Sequence, residues 1–151
     1  MKIALGADHA GFPLKSEIAK HLIDLDHEVV DFGTDSEASV DYPEFCAAAA
    51  RAVTRGEADL AIVFGGSGQG EQIAANKVHG ARAALCFNEF TARLARSHND
   101  ANVLALGARI IAPEFAKVIV EAFLATDFEG GRHQRRLEQL TGIEQEECGQ
   151  A

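Results

Sequence analysis

Five short apolar runs, each followed by a longer stretch with helical spacing, limit what this chain can fold into more than any other feature. The runs are Ile3–Leu5, Glu28–Phe32, Leu60–Phe64, Ala81–Phe87 and Val103–Leu106. After the first, Leu14, Ile18, Leu22 and Leu25 recur at intervals of 4, 4 and 3, which is one face of a helix. Pro43 stands where a helix can begin, and Phe45 to Val53 is Ala-rich. Glu71 to Asn76 and Glu89 to Ser97 read as helices, and Pro113 opens another with Phe115, Ile119, Ala122 and Phe123 apolar. Gly130-Gly131 precedes a last helix from Arg132 to about Glu147, with Glu146 to Ala151 expected to fray. Strands alternating with helices predict a parallel sheet covered on both faces. Leu60-Ala61-Ile62-Val63-Phe64, apolar throughout, fits its centre.

The length of 151 residues suits one domain spanning 1–151, since domains cluster near about 100–150 residues. Lys and Arg number 14 against 23 Asp and Glu, a net charge of −9. That argues against a nucleic-acid or anionic-membrane binder, so any anionic ligand must meet a local basic cluster. Cys46, Cys86 and Cys148 form no CxxC pair and no zinc spacing, which predicts neither a disulfide framework nor a metal site. The apolar run before Gly6 is too short for a secretory signal, and no run reaches the roughly 20 residues of a membrane span. A cytoplasmic protein is expected.

Several constellations have a chemical and a plain structural reading. Gly65-Gly66-Ser67-Gly68-Gln69-Gly70 follows the central strand, where open parallel sheets bind ligands. Its glycines let backbone N–H groups approach an anion, or simply make a tight turn. It is no P-loop, because Glu71 rather than Lys follows, and no dinucleotide fingerprint, because the spacing is GxGxG in the third unit. Glu71 is either a base beside the turn or an acid favoured by the helix dipole. Asp8 and His9 follow the first strand at the same edge, where Asp8 serves a ligand or caps the next helix. His98-Asn99 precedes the fifth strand, at the opposite edge. A five-residue strand spans roughly 17 Å, so His98 and Glu71 of one chain should not meet, and a site using both must be shared across a dimer. Arg132 and Arg136, at i and i+4, suit a phosphate or form a solvated face paired with Glu129 or Glu138.

GADHAG at 6–11, DYP at 41–43, GGSGQGEQIAANK at 65–77, HNDANVLALGAR at 98–109 and GGRHQRR at 130–136 resemble the type B ribose-5-phosphate isomerases, which belong with the galactose-6-phosphate isomerase subunits. The resemblance spans nearly the whole chain. It implies a three-layer Rossmann-like α/β fold with a five-stranded, mainly parallel sheet, and an obligate homodimer or dimer of dimers. It implies aldose–ketose isomerisation through an enediolate without metal or other cofactor. Carried onto this sequence, Asp8 and His9 bind sugar phosphate, and Gly66, Ser67, Gly68, Gln69 and Gly70 form the anion cradle. Asn99, Arg109, Arg132 and Arg136 complete binding, and His98 assists ring opening. One branch of the family uses a Cys base at the position of Gly65. The other has Gly there and a Glu after the turn, as at Glu71, which leaves Cys46 and Cys86 as packing residues.

On this reading Glu71 moves the proton between neighbouring carbons while the Gly turn steadies the enediolate oxygens. The helix dipole is expected to keep Glu71 ionised, so desolvation must supply its basicity. Four- or six-carbon sugar phosphates are alternative substrates, and a non-catalytic sugar-phosphate-binding module is an alternative of another class.

Overall fold

A computed structural model describes residues 1–148. The chain runs β1 (Lys2–Ala7), α1 (Phe12–Asp24), β2 (Glu28–Asp31), α2 (Tyr42–Thr54), β3 (Leu60–Gly65), α3 (Gln69–Ala75), β4 (Ala83–Leu85), α4 (Glu89–Asn99), β5 (Val103–Gly107), α5 (Pro113–Leu124) and α6 (Arg132–Cys148). The strands lie in the order β2-β1-β3-β5-β4, and all four pairings are parallel. This is the expected α/β architecture, with a sheet that is wholly rather than mainly parallel.

Alternation along the strands builds two unlike cores. Ile3, Leu5, Ile62, Phe64, Leu104 and Leu106 face Leu14, Ile18 and Leu22 of α1 and Ile119, Val120 and Phe123 of α5. Ala4, Ala61, Val63 and Ala105 face Cys46, Ala49 and Ala50 of α2 and Ala74 and Ala75 of α3. Large side chains fill the first layer, while small ones let the Ala-rich α2 lie close on the second. Phe64 and Phe123 have no exposed surface, so cutting either to Ala should cost about 3–5 kcal/mol.

Most element boundaries shift by a few residues from the sequence reading, and those of β4, α4, α3 and α6 bear on the site or the chain end. β4 keeps only Ala83–Leu85 of the expected 81–87. Side-chain amides take over at its start, where Asn102 Oδ1 accepts from Arg82 N–H and Asn76 Oδ1 from Ala83 N–H. Beyond its end, Asn88 and Thr91 form the capping box of α4. That helix runs on to Asn99, which puts His98 and Asn99 in its last turn. α3 starts at Gln69, making Glu71 its third residue. α6 continues through Cys148, so Glu146 to Cys148 are helical rather than frayed, while 149–151 lie outside the described residues.

Candidate active site

The chain reverses its direction across the sheet between β1 and β3, and the loops after β1, β3 and β5 meet there at the carboxyl edge. They enclose a cavity of 520 Å³ lined by Asp8, His9, Ala10, Tyr42, Gly66, Ser67, Gly70, Glu71, Arg109 and Ile110. Asp8 is buried, and one of its oxygens accepts the Gly11 N–H at 2.9 Å, where α1 begins. That oxygen closes the turn before α1 and does not cap the helix, whose N-cap residue is Gly11 and which has no side-chain cap. Nδ1 of His9 lies 3.2 Å from Val40 N, which braces the ring and leaves Nε2 for a ligand. Arg109 donates its backbone N–H to Gly66 O at 3.0 Å, and a β-carbon on Gly66 would sit 3.4 Å from its guanidinium Nη1.

The turn after β3 is closed by Gly68, the residue before α3, whose φ of 81° favours glycine. Ser67 Oγ accepts the Gln69 N–H at 3.3 Å. Gly66, Ser67 and Gly70 reach the cavity. Gly68 and Gln69, both expected in the cradle, are not among its lining residues. Gly68 is buried as the hinge of the turn, and Gln69 is exposed.

Glu71 is 4% exposed. Burial pushes its carboxyl above the usual carboxylate range, and the nearby Asp8 charge adds to the rise. The backbone N–H groups of Glu71 and Gly68 pull the other way. The dipole alone suggested a weak base, but desolvation outweighs the helix N-terminus. The space for the carboxylate exists because residue 65 has no side chain: a β-carbon on Gly65 would overlap the Glu71 carboxyl group.

The remaining predicted residues stand apart from this cavity. His98 and Asn99 end α4 before β5, and neither lines the cavity, nor do Arg132 or Arg136. The ring of His98 stacks on His133 with centroids 4.1 Å apart and planes 12° from parallel. Glu129 Oε2 lies 3.9 Å from His98 Nε2 and 3.7 Å from His133 Nε2. Burial, then the charges of His98 and Arg132, push the His133 pKa down, so it is neutral near pH 7. Arg132 Nε reaches His133 Nε2 at 3.4 Å. Arg132 and Arg136 are exposed, and among the described residues neither has a carboxylate within ion-pair distance. The solvated-face alternative named Glu129 and Glu138, but Glu129 faces the two histidines and Glu138 accepts from Gln134.

His98, Glu129 and His133 could hold a metal ion by distance, with ligand atoms within 4.8 Å of one another. Their chemistry opposes it. Rings stacked nearly parallel send their lone pairs side by side rather than to one point, and the neighbouring guanidiniums repel a dication. The buried cysteines are equally unsuited to chemistry. Burial raises the Cys86 thiol to about 11 and pushes Cys46 further still, helped by the charges of Glu71 and Asp8.

Four residues escaped the sequence reading. Tyr42, the middle of the DYP motif, packs against Gly70 and lines the cavity. His133 lies inside the basic cluster but serves as the platform under His98. The βα loops also bring in Ala10 and Ile110, whose sequence carries no signal.

A buried carboxylate and a glycine turn at the switch point of a parallel sheet make a candidate α/β enzyme site at the carboxyl edge. The family model for ribose/galactose isomerases matches residues 3–140, and the chain belongs to that family; it is an isomerase. It is 51% identical to ribose-5-phosphate isomerase B of Escherichia coli, over 95% of this chain and 97% of that one. Its fold superposes on ribose-5-phosphate isomerase B of Clostridium thermocellum with a TM-score of 0.96 at 50% identity, covering 97% and 99% of the two chains. The Mycoplasma genitalium enzyme, solved with bound ribulose-5-phosphate, gives 0.91 at 43% identity, covering 96% and 97%.

Proposed function

We propose that this protein interconverts D-ribose 5-phosphate and D-ribulose 5-phosphate through an enediolate. The observation that carries the reading is Glu71, a buried carboxylate of raised pKa at the wall of the 520 Å³ cavity. A base of this kind suits the weakly acidic C–H beside a carbonyl, because a raised pKa makes a carboxylate the stronger base. Glu71 takes the proton from C2 of the open-chain aldose and returns it to C1, while the O2 hydroxyl proton passes to O1 within the enediolate. Backbone N–H groups of Gly66, Ser67 and Gly70, the part of the turn that reaches the cavity, stabilise the enediolate oxygens. Asp8, His9 and Arg109 hold the sugar.

His98 opens the furanose ring, and Asn99, Arg132 and Arg136 bind beside it, the two guanidiniums taking the phosphate. These residues come from a second copy of the chain, so the working unit is a homodimer or a dimer of dimers with shared sites. A two-fold axis that brings the amino edge of one subunit to the carboxyl edge of the other builds two such sites at once. No step needs a metal, and the reaction belongs to the cytoplasm. Among the described residues no helix is long and apolar enough to cross a membrane.

A coupled assay for ribulose 5-phosphate formation tests the reading. The wild type should turn over ribose 5-phosphate, and Glu71→Gln should lower the rate at least about 100-fold with substrate binding retained. Preference for a four- or six-carbon phosphate in the same assay would move the reading to that substrate. Near-normal turnover by the Gln variant would remove Glu71 as the base.

A further inference from the structure

We propose that Asp100 is a positioning residue for this isomerisation, locking the last turn of α4 so that His98 is presented to the site of the second copy. The proposal rests on the isomerase reading above. Asp100 follows His98 and Asn99 and leaves the helix in the left-handed region, at φ 42° and ψ 45°. Glycine is the usual residue at such a helix end. Aspartate tolerates the conformation and adds what glycine lacks, a carboxylate.

Two arginines from different parts of the fold close on it. Arg82, just before β4, donates from Nη2 to Asp100 Oδ2 at 3.0 Å and to Asp100 O at 2.9 Å. Its Nε reaches Asp100 O at 3.0 Å and Asn99 O at 3.1 Å. Arg96, one turn earlier in α4, donates from Nη1 to Asp100 Oδ1 at 2.9 Å and to Ala101 O at 2.7 Å. Its guanidinium carbon lies 5.7 Å from the centre of the Phe123 ring on α5. The end of α4 is thereby fastened to the start of β4, to its own preceding turn and to α5.

Helix ends ordinarily fray, because their last carbonyls lack partners. Here the carbonyls of Asn99, Asp100 and Ala101 are all taken by guanidinium groups. His98 lies one residue inside that clamp, and its ring is held from the other side by the stack on His133. A group that must reach across a subunit boundary gains from this stiffness, since a misplacement of about 1 Å can cost about 100-fold in rate. Asp100 does not line the cavity that holds Glu71, so its effect runs through His98.

The test uses Asp100→Asn and Asp100→Gly in the full-length protein. The Gly variant keeps the left-handed backbone without strain, which covers the case in which Asn fails to fold. Isomerisation of ribose 5-phosphate should fall about 10- to 100-fold. Deuterium uptake from D2O into C1 of ribulose 5-phosphate, which is acyclic and needs Glu71 but no ring opening, should stay within about 3-fold of wild type. In a His98→Asn background the Asp100 substitutions should add no further loss, the mark of action through His98. Parallel loss of isomerisation and exchange, equal loss in both backgrounds, or no loss at all would each overturn the proposal. A well-folded wild type inert in both assays would refute the isomerase reading itself.

Discussion

The Glu71 carboxylate fills the volume that a β-carbon on Gly65 would need. The end of β3 and the first turn of α3 are thus matched to each other: the strand gives up a side chain and the helix supplies a carboxylate in its place. The match accounts for a charged group that is only 4% exposed beneath a glycine turn.

Gly65→Ala should therefore displace Glu71 rather than the backbone. The atoms nearest the added carbon all belong to the Glu71 side chain, which can swing away. Turnover should fall at least about 10-fold, with a stability loss of no more than about 1–3 kcal/mol from crowding. In a Glu71→Gln background the same change should lower turnover no further. Steady-state kinetics and thermal melting of the three variants check this, and full activity in Gly65→Ala would contradict it.

The raised pKa of Glu71 has two consequences of fixed sign. As the proposed base it must be ionised, so kcat/KM should fall on acidification with a midpoint above the ordinary glutamate value of 4.5. For stability, the folded state holds the Glu71 proton more tightly than the unfolded chain. Burying the charge therefore opposes folding, a penalty that begins as pH rises past the unfolded value and is complete above the folded one. Glu71→Gln should raise the melting temperature near pH 7.5, by about 2–4 °C per kcal/mol of relief. The gain should vanish at acid pH, where the Glu71 carboxyl is protonated in the folded and the unfolded state alike. Equal melting differences at both pH values would contradict this.

Arg132→Ala and Arg136→Ala should mainly raise KM, by roughly 1.5–3 kcal/mol of charge-assisted hydrogen bonding each. Both guanidiniums are exposed and free of carboxylate partners among the described residues, so removing them should hardly change melting. Inhibition by inorganic phosphate should weaken in parallel. Unchanged phosphate inhibition in both variants would return the pair to a solvated face.

Much of this was legible in the chain. The apolar runs marked all five strands, and the place of the turn after the apolar β3 located the carboxyl-edge cavity. β1 and β3 are neighbours, so Asp8 and the turn do meet. What escaped depends on tertiary packing. Desolvation of Glu71 was called for by the sequence, but its source was not legible, since it comes from the space left by Gly65 and from the surrounding loops. The His98–His133 stack forms only because α6 docks back on the end of α4, with Leu137 and His133 turned inward. No spacing within either helix announces that contact. β4 was overestimated because the side chains of Asn76 and Asn102 satisfy backbone groups that a ladder would otherwise pair.

Chelation should leave the activity untouched, because the His98–Glu129–His133 group is a stacked pair beside two cations rather than a converging ligand set. Prolonged EDTA treatment followed by assay in metal-free buffer checks this. Loss of turnover restored by one divalent ion would place a metal in the mechanism.

Complementation tests the shared site most directly. Glu71→Gln and His98→Asn variants, each nearly inactive alone, are unfolded together at equal concentration and refolded, with dimer composition read by mass spectrometry. Random assembly makes about half the dimers mixed, and each mixed dimer carries one site with both lesions and one with neither. The account predicts recovery of roughly a quarter of wild-type activity. No recovery, with mixed dimers present, would place Glu71 and His98 in the site of a single chain and contradict it.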